Sequence, residues 1–338
     1  MIVNSYAILA LFVASLQLMM AIGLLGTLWR TRSAWAGPAG TETADRQLYL
    51  LMSLSLLVLM LGVAGWPLLY LLLQSYIPSW EGVMCIYGVT KIGTGSLGSS
   101  RFLPDLVGIL QLSKPLLVFA GGVWFVLYLA NRVTATGPLL RRLLLGQFVL
   151  GSLHFVDAVV MCGYVLIPKS EQHLAVGCCT SPGRELVDVA NQPLLDPVLG
   201  RGLIPVFLLW VGVMVLGLLV GAIRGWTGRA WVTVLSISAA GLVFVGWVVL
   251  VDKLSPFLLQ RPHHCPYDLL GEVPASVVGI GMFAVGCMCM GWAAGLSWLG
   301  DTPETRTEVP DLVSRILFCG LFSYLGSITL FSVECSLI

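Results

Sequence analysis

Residues 48–76, LYLLMSLSLLVLMLGVAGWPLLYLLLQSY, form an unbroken stretch without Asp, Glu, Lys or Arg. A helix that crosses the hydrocarbon core of a bilayer needs about 20 consecutive, mostly apolar residues, because every backbone polar group must be bonded within the helix. Further stretches of this kind lie at 5–29, 106–131, 143–168, 203–223, 231–251, 274–298 and 316–337. The sequence therefore predicts an all-α, polytopic transmembrane helical bundle with about eight spans.

The overall composition supports this fold class. Hydrophobic residues make up 57% of the chain and charged residues 10%, whereas soluble domains carry about 25% charged residues. The net charge of +1 provides no basic surface for nucleic acid. We expect the lipid bilayer to be the main partner, no nucleic acid to bind, and residues 1–338 to form a single membrane domain.

The distribution of Lys and Arg between loops predicts the orientation. These residues are denser in one set of loops, 30–47, 132–142, 224–230 and 299–315, than in the other set, 77–105, 169–202 and 252–273. Loops rich in Lys and Arg stay in the cytoplasm, so the second set is predicted to be exterior. An even number of spans then places both termini at the exterior. We expect an integral protein of the bacterial inner (plasma) membrane.

Every predicted exterior loop carries cysteine, namely Cys85, the adjacent Cys178 and Cys179, and Cys265. An oxidising exterior favours disulfides between such residues. A bridge between neighbours would be strained, so Cys178 and Cys179 are each expected to pair with Cys85 or Cys265. The bridges could hold the loops together, or they could exchange with the thiols of a soluble partner.

Three of the four histidines lie close in sequence to these cysteines. His263 and His264 immediately precede Cys265, and His173 precedes Cys178 by five residues. A protonated histidine would lower the pKa of a nearby thiol and so favour exchange. The same three histidines are candidate zinc or copper ligands. No ligand spacing matches a closed metal site, however, and oxidised cysteines could not act as thiolate ligands, so we predict no metal.

One local motif resembles a known family. Cys85-Ile86-Tyr87, just after a predicted span at the exterior, resembles part of the Cys-x-x-Cys-Ile-Tyr segment of the DsbB-type membrane thiol oxidoreductases. In that family the paired thiols pass electrons to a membrane quinone, so the resemblance implies quinone as a cofactor. Gly82 stands where the motif has its first cysteine, and eight spans exceed the family's four.

The predicted spans contain a small group of polar residues. Lys114 lies in the third span, and His154 and Asp157 lie on one face of the fourth. Lys114 and Asp157 differ in predicted depth by about 5 Å, at 1.5 Å per helical residue. Because an unpaired charge in hydrocarbon is costly, we predict that Lys114 and Asp157 pair, with His154 one turn deeper. The group could form a proton or ion path, a site for a quinone headgroup, or a structural ion pair.

Other motifs exclude some activities. Gly93-Thr94-Gly95-Ser96-Leu97-Gly98 fits the dinucleotide pattern GxGxxG, but it lies between two predicted spans without a βαβ unit, so we interpret it as a turn. No HExxH, no nucleotide-binding lysine loop and no CxxCH motif for covalent haem occurs. The sequence leaves open whether the chain is an enzyme.

Three functional hypotheses follow from these residues. The first is a membrane-embedded component of an envelope redox or electron-transport system, whose exterior Cys/His loops dock a soluble partner or other redox subunits. The second is a transporter or permease that uses Lys114, His154 and Asp157. The third is a non-catalytic scaffold subunit of a complex, in which the disulfides and the ion pair are structural.

Overall fold

A computed structural model describes residues 4–31, 42–80, 83, 85–94, 98–134, 137–169, 197–261 and 263–337. These residues form helices, turns and connecting segments, and none of them forms a strand. Eight of the helical segments are long and apolar enough to cross a membrane. The predicted helical membrane fold with eight spans is confirmed. The orientation of the termini stays a prediction.

The helices of the described residues follow one another along the chain. They are α1 (Ser5–Thr31), α2 (Glu42–Tyr76), α3 (Ile86–Thr90), α4 (Leu103–Val133), α5 (Leu140–Leu166), α6 (Pro197–Arg224), α7 (Arg229–Val249), α8 (Ser255–Leu258), α9 (Pro266–Glu272), α10 (Pro274–Leu299) and α11 (Val309–Ser336). Short 3₁₀ turns cover Ile77–Ser79 and Ser99–Phe102, and a π turn covers Leu250–Leu254.

Several spans extend beyond their predicted bounds, the sixth and the eighth among them. The sixth was predicted at 231–251, but its helical path runs from Arg229 to Leu258 through the π turn and α8. The eighth was predicted to begin at residue 316, but α11 begins at Val309, with a proline in its first turn. Polar turns at helix ends are invisible to hydropathy because they project beyond the apolar stretch.

Large apolar side chains point away from the protein along the spans. Leu112 is 75% exposed, Ile223 83% and Phe244 79%. Each lies within a predicted span, where the surrounding solvent is lipid. The exposure of these side chains therefore fits contact with the hydrocarbon of a bilayer.

The chain separates into two compact units, the first comprising residues 1–125 and 139–178 and the second residues 126–138 and 179–338. In the first unit α1 packs on α2 and α5, and α2 also packs on α5. In the second unit α10 packs on α7 and α11, and α6 packs on the same two helices. The expectation of a single membrane domain stays a prediction.

Glycines in the second unit make room for aromatic rings. The indole ring of Trp231 on α7 lies against Gly217 and Gly221 of α6, where a Cβ would come within 3.4 and 2.8 Å of ring atoms. The ring of Tyr324 on α11 lies in the same way against Gly286 of α10. Small residues at these positions allow helices to pack closely in lipid.

Gly93 and Gly98, the first and last glycines of the GxGxxG segment, lie between α3 and α4. Gly93 has φ +92° and Gly98 has φ +96°, both in the left-handed region that favours glycine. A Cβ at Gly93 would overlap the backbone carbonyl of Ser100, whereas a Cβ at Gly98 would meet open space. The two glycines therefore share a positive φ but differ in their surroundings.

This difference predicts unequal costs for alanine at the two positions. Gly98→Ala should lower the free energy of unfolding by about 1 kcal/mol, through backbone strain alone. Gly93→Ala should lower it by about 2 kcal/mol, because the Ser100 carbonyl must also move. Chemical unfolding in detergent micelles would measure both. Equal losses would show that the contact with Ser100 is unimportant.

Candidate functional site

The first unit buries an ion pair in the middle of its helices. Lys114 Nζ of α4 lies 2.6 Å from Asp157 Oδ2 of α5, and the two side chains are 2% and 0% exposed. Asp157 lies nine residues before the end of α5, or about 14 Å along the helix axis. The predicted pairing is confirmed. A charged pair so far from water must satisfy its remaining hydrogen-bonding groups locally.

Two further side chains donate hydrogen bonds to the Asp157 carboxylate. Ser113 Oγ donates a hydrogen bond to Asp157 Oδ1 at 2.6 Å. Gln17 Nε2 of α1 donates to Asp157 Oδ2 at 3.1 Å, and it lies 3.0 Å from His154 Nδ1 and 3.3 Å from the His154 carbonyl oxygen. The carboxylate thus has donors from α1 and from two neighbouring residues of α4. The sequence predicted neither Ser113 nor Gln17.

The contacts of Gln17 determine the tautomer of His154. A glutamine amide nitrogen only donates hydrogen bonds, and Asp157 Oδ2 and the His154 carbonyl only accept them. The Gln17 Nε2 atom must therefore face Asp157 and His154, and His154 Nδ1 accepts a hydrogen bond from it. The ring proton then resides on His154 Nε2.

Helix α2 contacts His154 and Lys114 through its backbone, at two glycines. A Cβ at Gly62 would overlap His154 Cε1 and lie 3.5 Å from His154 Nε2. A Cβ at Gly65 would lie 3.0 Å from Lys114 Nζ. The imidazole and the ammonium therefore lie directly against the bare face of α2. We call Gln17, Lys114, His154 and Asp157, together with this face, the central cluster.

Buried apolar residues separate the central cluster from the predicted exterior. Leu69 and Leu72 follow Gly62 and Gly65 at helical spacing on α2, and Met161 follows Asp157 on α5. These three side chains are 4%, 0% and 2% exposed. Water would have to pass this apolar layer to reach Lys114 from that side.

A second polar group lies beyond the apolar layer, just after α5. The Lys169 ammonium donates a hydrogen bond to the Tyr164 carbonyl oxygen at 2.9 Å and lies over the Tyr76 and Tyr164 rings, 5.1 and 4.6 Å from their centroids. Burial lowers the pKa of Lys169 to about 8. The Tyr76 hydroxyl is buried and has no hydrogen-bond partner among the described residues.

The described exterior cysteines are buried. Cys85 precedes α3 and is 5% exposed, and Cys265 precedes α9 and is 4% exposed. No disulfide joins any two cysteines of the described part of the chain. The predicted bridges also require Cys178 and Cys179, which lie outside the described residues together with His173. The disulfides and their redox activity stay predictions.

The segment around Cys265 is fixed by several local contacts. His263 Nε2 lies 2.6 Å from Asp268 Oδ2, close enough for an ion pair when the histidine is protonated. The carbonyl oxygen of Val251 accepts a hydrogen bond at 3.1 Å from His264 Nδ1, which must therefore carry the ring proton. Ser255 Oγ donates to the Cys265 carbonyl oxygen at 3.0 Å. His264 thus has a structural partner, whereas His263 Nε2 lies close to Asp268 without a well-formed hydrogen bond among the described residues.

Comparison with known proteins gives no relative. No known protein family, no curated protein and no solved structure matches the chain. The functional argument rests on the geometry of the chain itself.

Proposed function

We propose that this chain is a membrane transporter or permease, and that the central cluster is the site through which it carries its substrate or a coupled proton. The observation that carries the proposal is the buried Lys114–Asp157 pair, with His154 one turn away. Ionisable residues inside membrane spans are rare, and they commonly belong to substrate or proton paths.

The residues around the pair support a transport site more than an ion pair that only joins two helices. Besides the two charged residues on α4 and α5, α1 adds Gln17 and α2 contributes the glycine face. Gly62 and Gly65 hold α2 against two groups that can exchange protons, His154 and Lys114. Four helices thus meet at groups whose charge can change.

The proposal requires that the central cluster exchange with water. Lys114 is 2% exposed, so the structure corresponds to a closed arrangement. Carriers open a buried central site to one side at a time, by moving one group of helices against another. The substitution Ser113→Cys tests for such opening, because Ser113 touches Asp157 and cysteine has nearly the same size.

A small cationic methanethiosulfonate reagent should label the thiol that Ser113→Cys introduces, in protein embedded in membranes. Mass spectrometry of the peptide that contains position 113 would separate this label from labels on native cysteines. Leu112→Cys is the matched control, because Leu112 is 75% exposed toward lipid, where an introduced thiol stays protonated and unreactive. We expect the Ser113→Cys variant to react about tenfold faster than the Leu112→Cys variant. Equally slow reaction of both variants would indicate a dry, structural ion pair and would favour the scaffold hypothesis.

The redox hypothesis remains a separate proposal. It depends on an exchangeable thiol that a soluble partner can reach, and the two described loop cysteines are buried. Its support is therefore the sequence pattern at Cys178 and Cys179 and the resemblance at Cys85. Thiol trapping over a series of redox potentials would test it, since structural bridges would resist reduction throughout.

A further inference from the structure

We infer that Lys114 is a binding site for a small monovalent anion, which enters the central cluster together with a proton that binds Asp157. The inference rests on the proposed transport function and names the class of ligand.

The first argument is the balance of hydrogen-bond donors and acceptors. The Lys114 ammonium has three N–H donors, and Asp157 is the acceptor that the described residues provide for it. His154 carries its proton on Nε2, which would lie 3.5 Å from a Cβ at Gly62. The groups that remain to bind a ligand are therefore donors, and the ligand should be an acceptor.

The second argument is charge. Among the described residues, the titratable groups that face Asp157 are Lys114 from α4 and His154 from α5, whereas α1 contributes Gln17 and α2 contributes glycines. A proton on Asp157 would convert the carboxylate to a neutral acid and leave the ammonium without a counter-charge. A buried charge without a partner is strongly disfavoured. An anion beside Lys114 would restore neutrality, so the site would carry no net charge before or after binding.

The third argument is space. A Cβ at Gly65 would lie 3.0 Å from Lys114 Nζ, so the α2 backbone is close to the ammonium. The face is closed in this structure, so an anion can reach Lys114 only when α2 moves away, and an ion of a few atoms requires a smaller movement than a bulky one. Formate and nitrate are ions of a few atoms, and gluconate is bulky.

The Asp157→Asn variant tests the site without knowledge of the natural ligand. Asparagine imitates the protonated aspartate, so Lys114 should recruit an anion from solution. We expect sodium formate to raise the thermal unfolding midpoint of this variant in detergent by about 4 °C, relative to sodium gluconate at the same ionic strength. Wild-type protein should show the same formate effect at pH 5 and a smaller effect at pH 8, because the anion is proposed to enter together with a proton.

The Lys114→Met/Asp157→Asn double variant is the control, and formate should leave its midpoint unchanged. Absence of a formate or nitrate effect on both Asp157→Asn and wild type at pH 5 would overturn the inference. Stabilisation by a short-chain quinone at pH 8 without any anion effect would also overturn it, in favour of a quinone headgroup site. If the Ser113→Cys variant were labelled fast but neither formate nor nitrate had any effect, the transport proposal would stand and the anion site alone would be rejected.

Discussion

Replacing Lys114 with methionine is expected to lower the free energy of unfolding by about 3–5 kcal/mol. The substitution leaves Asp157 as a buried carboxylate, 0% exposed, without its positive partner. Ser113 and Gln17 would still donate hydrogen bonds to it, but they carry no charge. The protein would have to bury a lone anion or protonate it, and either change is unfavourable at neutral pH.

Most of this loss should return when Asp157 is also changed to asparagine. The double variant has no buried charge, and asparagine retains an oxygen that can accept from Ser113 or Gln17. Buried ion pairs can often be replaced by neutral side chains at little net cost, although removal of one partner is severe. Reversible unfolding in mixed micelles would provide the free energies of both variants and of Asp157→Asn, and so the coupling energy of the pair.

The result also separates structure from function. A scaffold that used the pair only for stability would tolerate the double variant well. A transporter would fold with the double variant and still lose its site, so a stable but inactive double variant is the outcome that we expect. A double variant as unstable as Lys114→Met alone would contradict this account of the pair, because the loss could not then come from an uncompensated charge.

The fold was predictable from the sequence because lipid sets one strict requirement. Each span must form its backbone hydrogen bonds within its own helix, so spans such as residues 48–76 are continuous and apolar. The ends of the helices were less predictable. The start of α11 at Val309 and the passage of the sixth span through a π turn depend on local backbone contacts, and hydropathy carries no information on these.

The central cluster was predictable in part. Lys114 and Asp157 stand out because a charge in an apolar stretch needs a partner at the same depth. Gln17 was missed although the spacing of small and apolar residues on α1 points to it. It is the polar member of a buried stripe of small and apolar residues on α1, Ala7, Ala10, Ala14, Gln17, Ala21, Leu24 and Leu28. A polar side chain in such a stripe faces other helices and not lipid.

Other parts of the site could not have been predicted from the sequence. Gly62 and Gly65 are two glycines among 38 in the chain, and their role follows from the side chains that lie against them. Lys169 is equally inconspicuous, since lysines are common just outside a span. Its burial against two tyrosines depends on how α2 and α5 end side by side.

The free energy of unfolding should increase as the pH rises above 8, because the buried Lys169 then loses its proton in the folded protein. Burial lowers the pKa of this lysine from 10.5 to about 8 in the folded protein, whereas in the unfolded chain the side chain is solvated and keeps its ordinary pKa. Between these two values the unfolded state binds more protons than the folded state, so the free energy of unfolding increases with pH. Below pH 8 both states are protonated, and the folded state then bears the full cost of burying the ammonium.

The predicted increase between pH 8 and pH 10.5 is about 3 kcal/mol, since each unit of pKa difference corresponds to about 1.4 kcal/mol. Lys169→Met should abolish this part of the pH dependence and be more stable than wild type at pH 7, because methionine keeps the apolar contacts with Tyr76 and Tyr164. Lys91→Met is the control, since Lys91 is exposed and lies over a tyrosine ring in the same unit. Denaturant unfolding of the three proteins across this pH range would isolate the contribution of Lys169 from that of other titrating groups. If the difference between wild type and Lys169→Met stayed constant with pH, the ammonium would be charged throughout, and its contacts with the Tyr76 and Tyr164 rings would offset its burial.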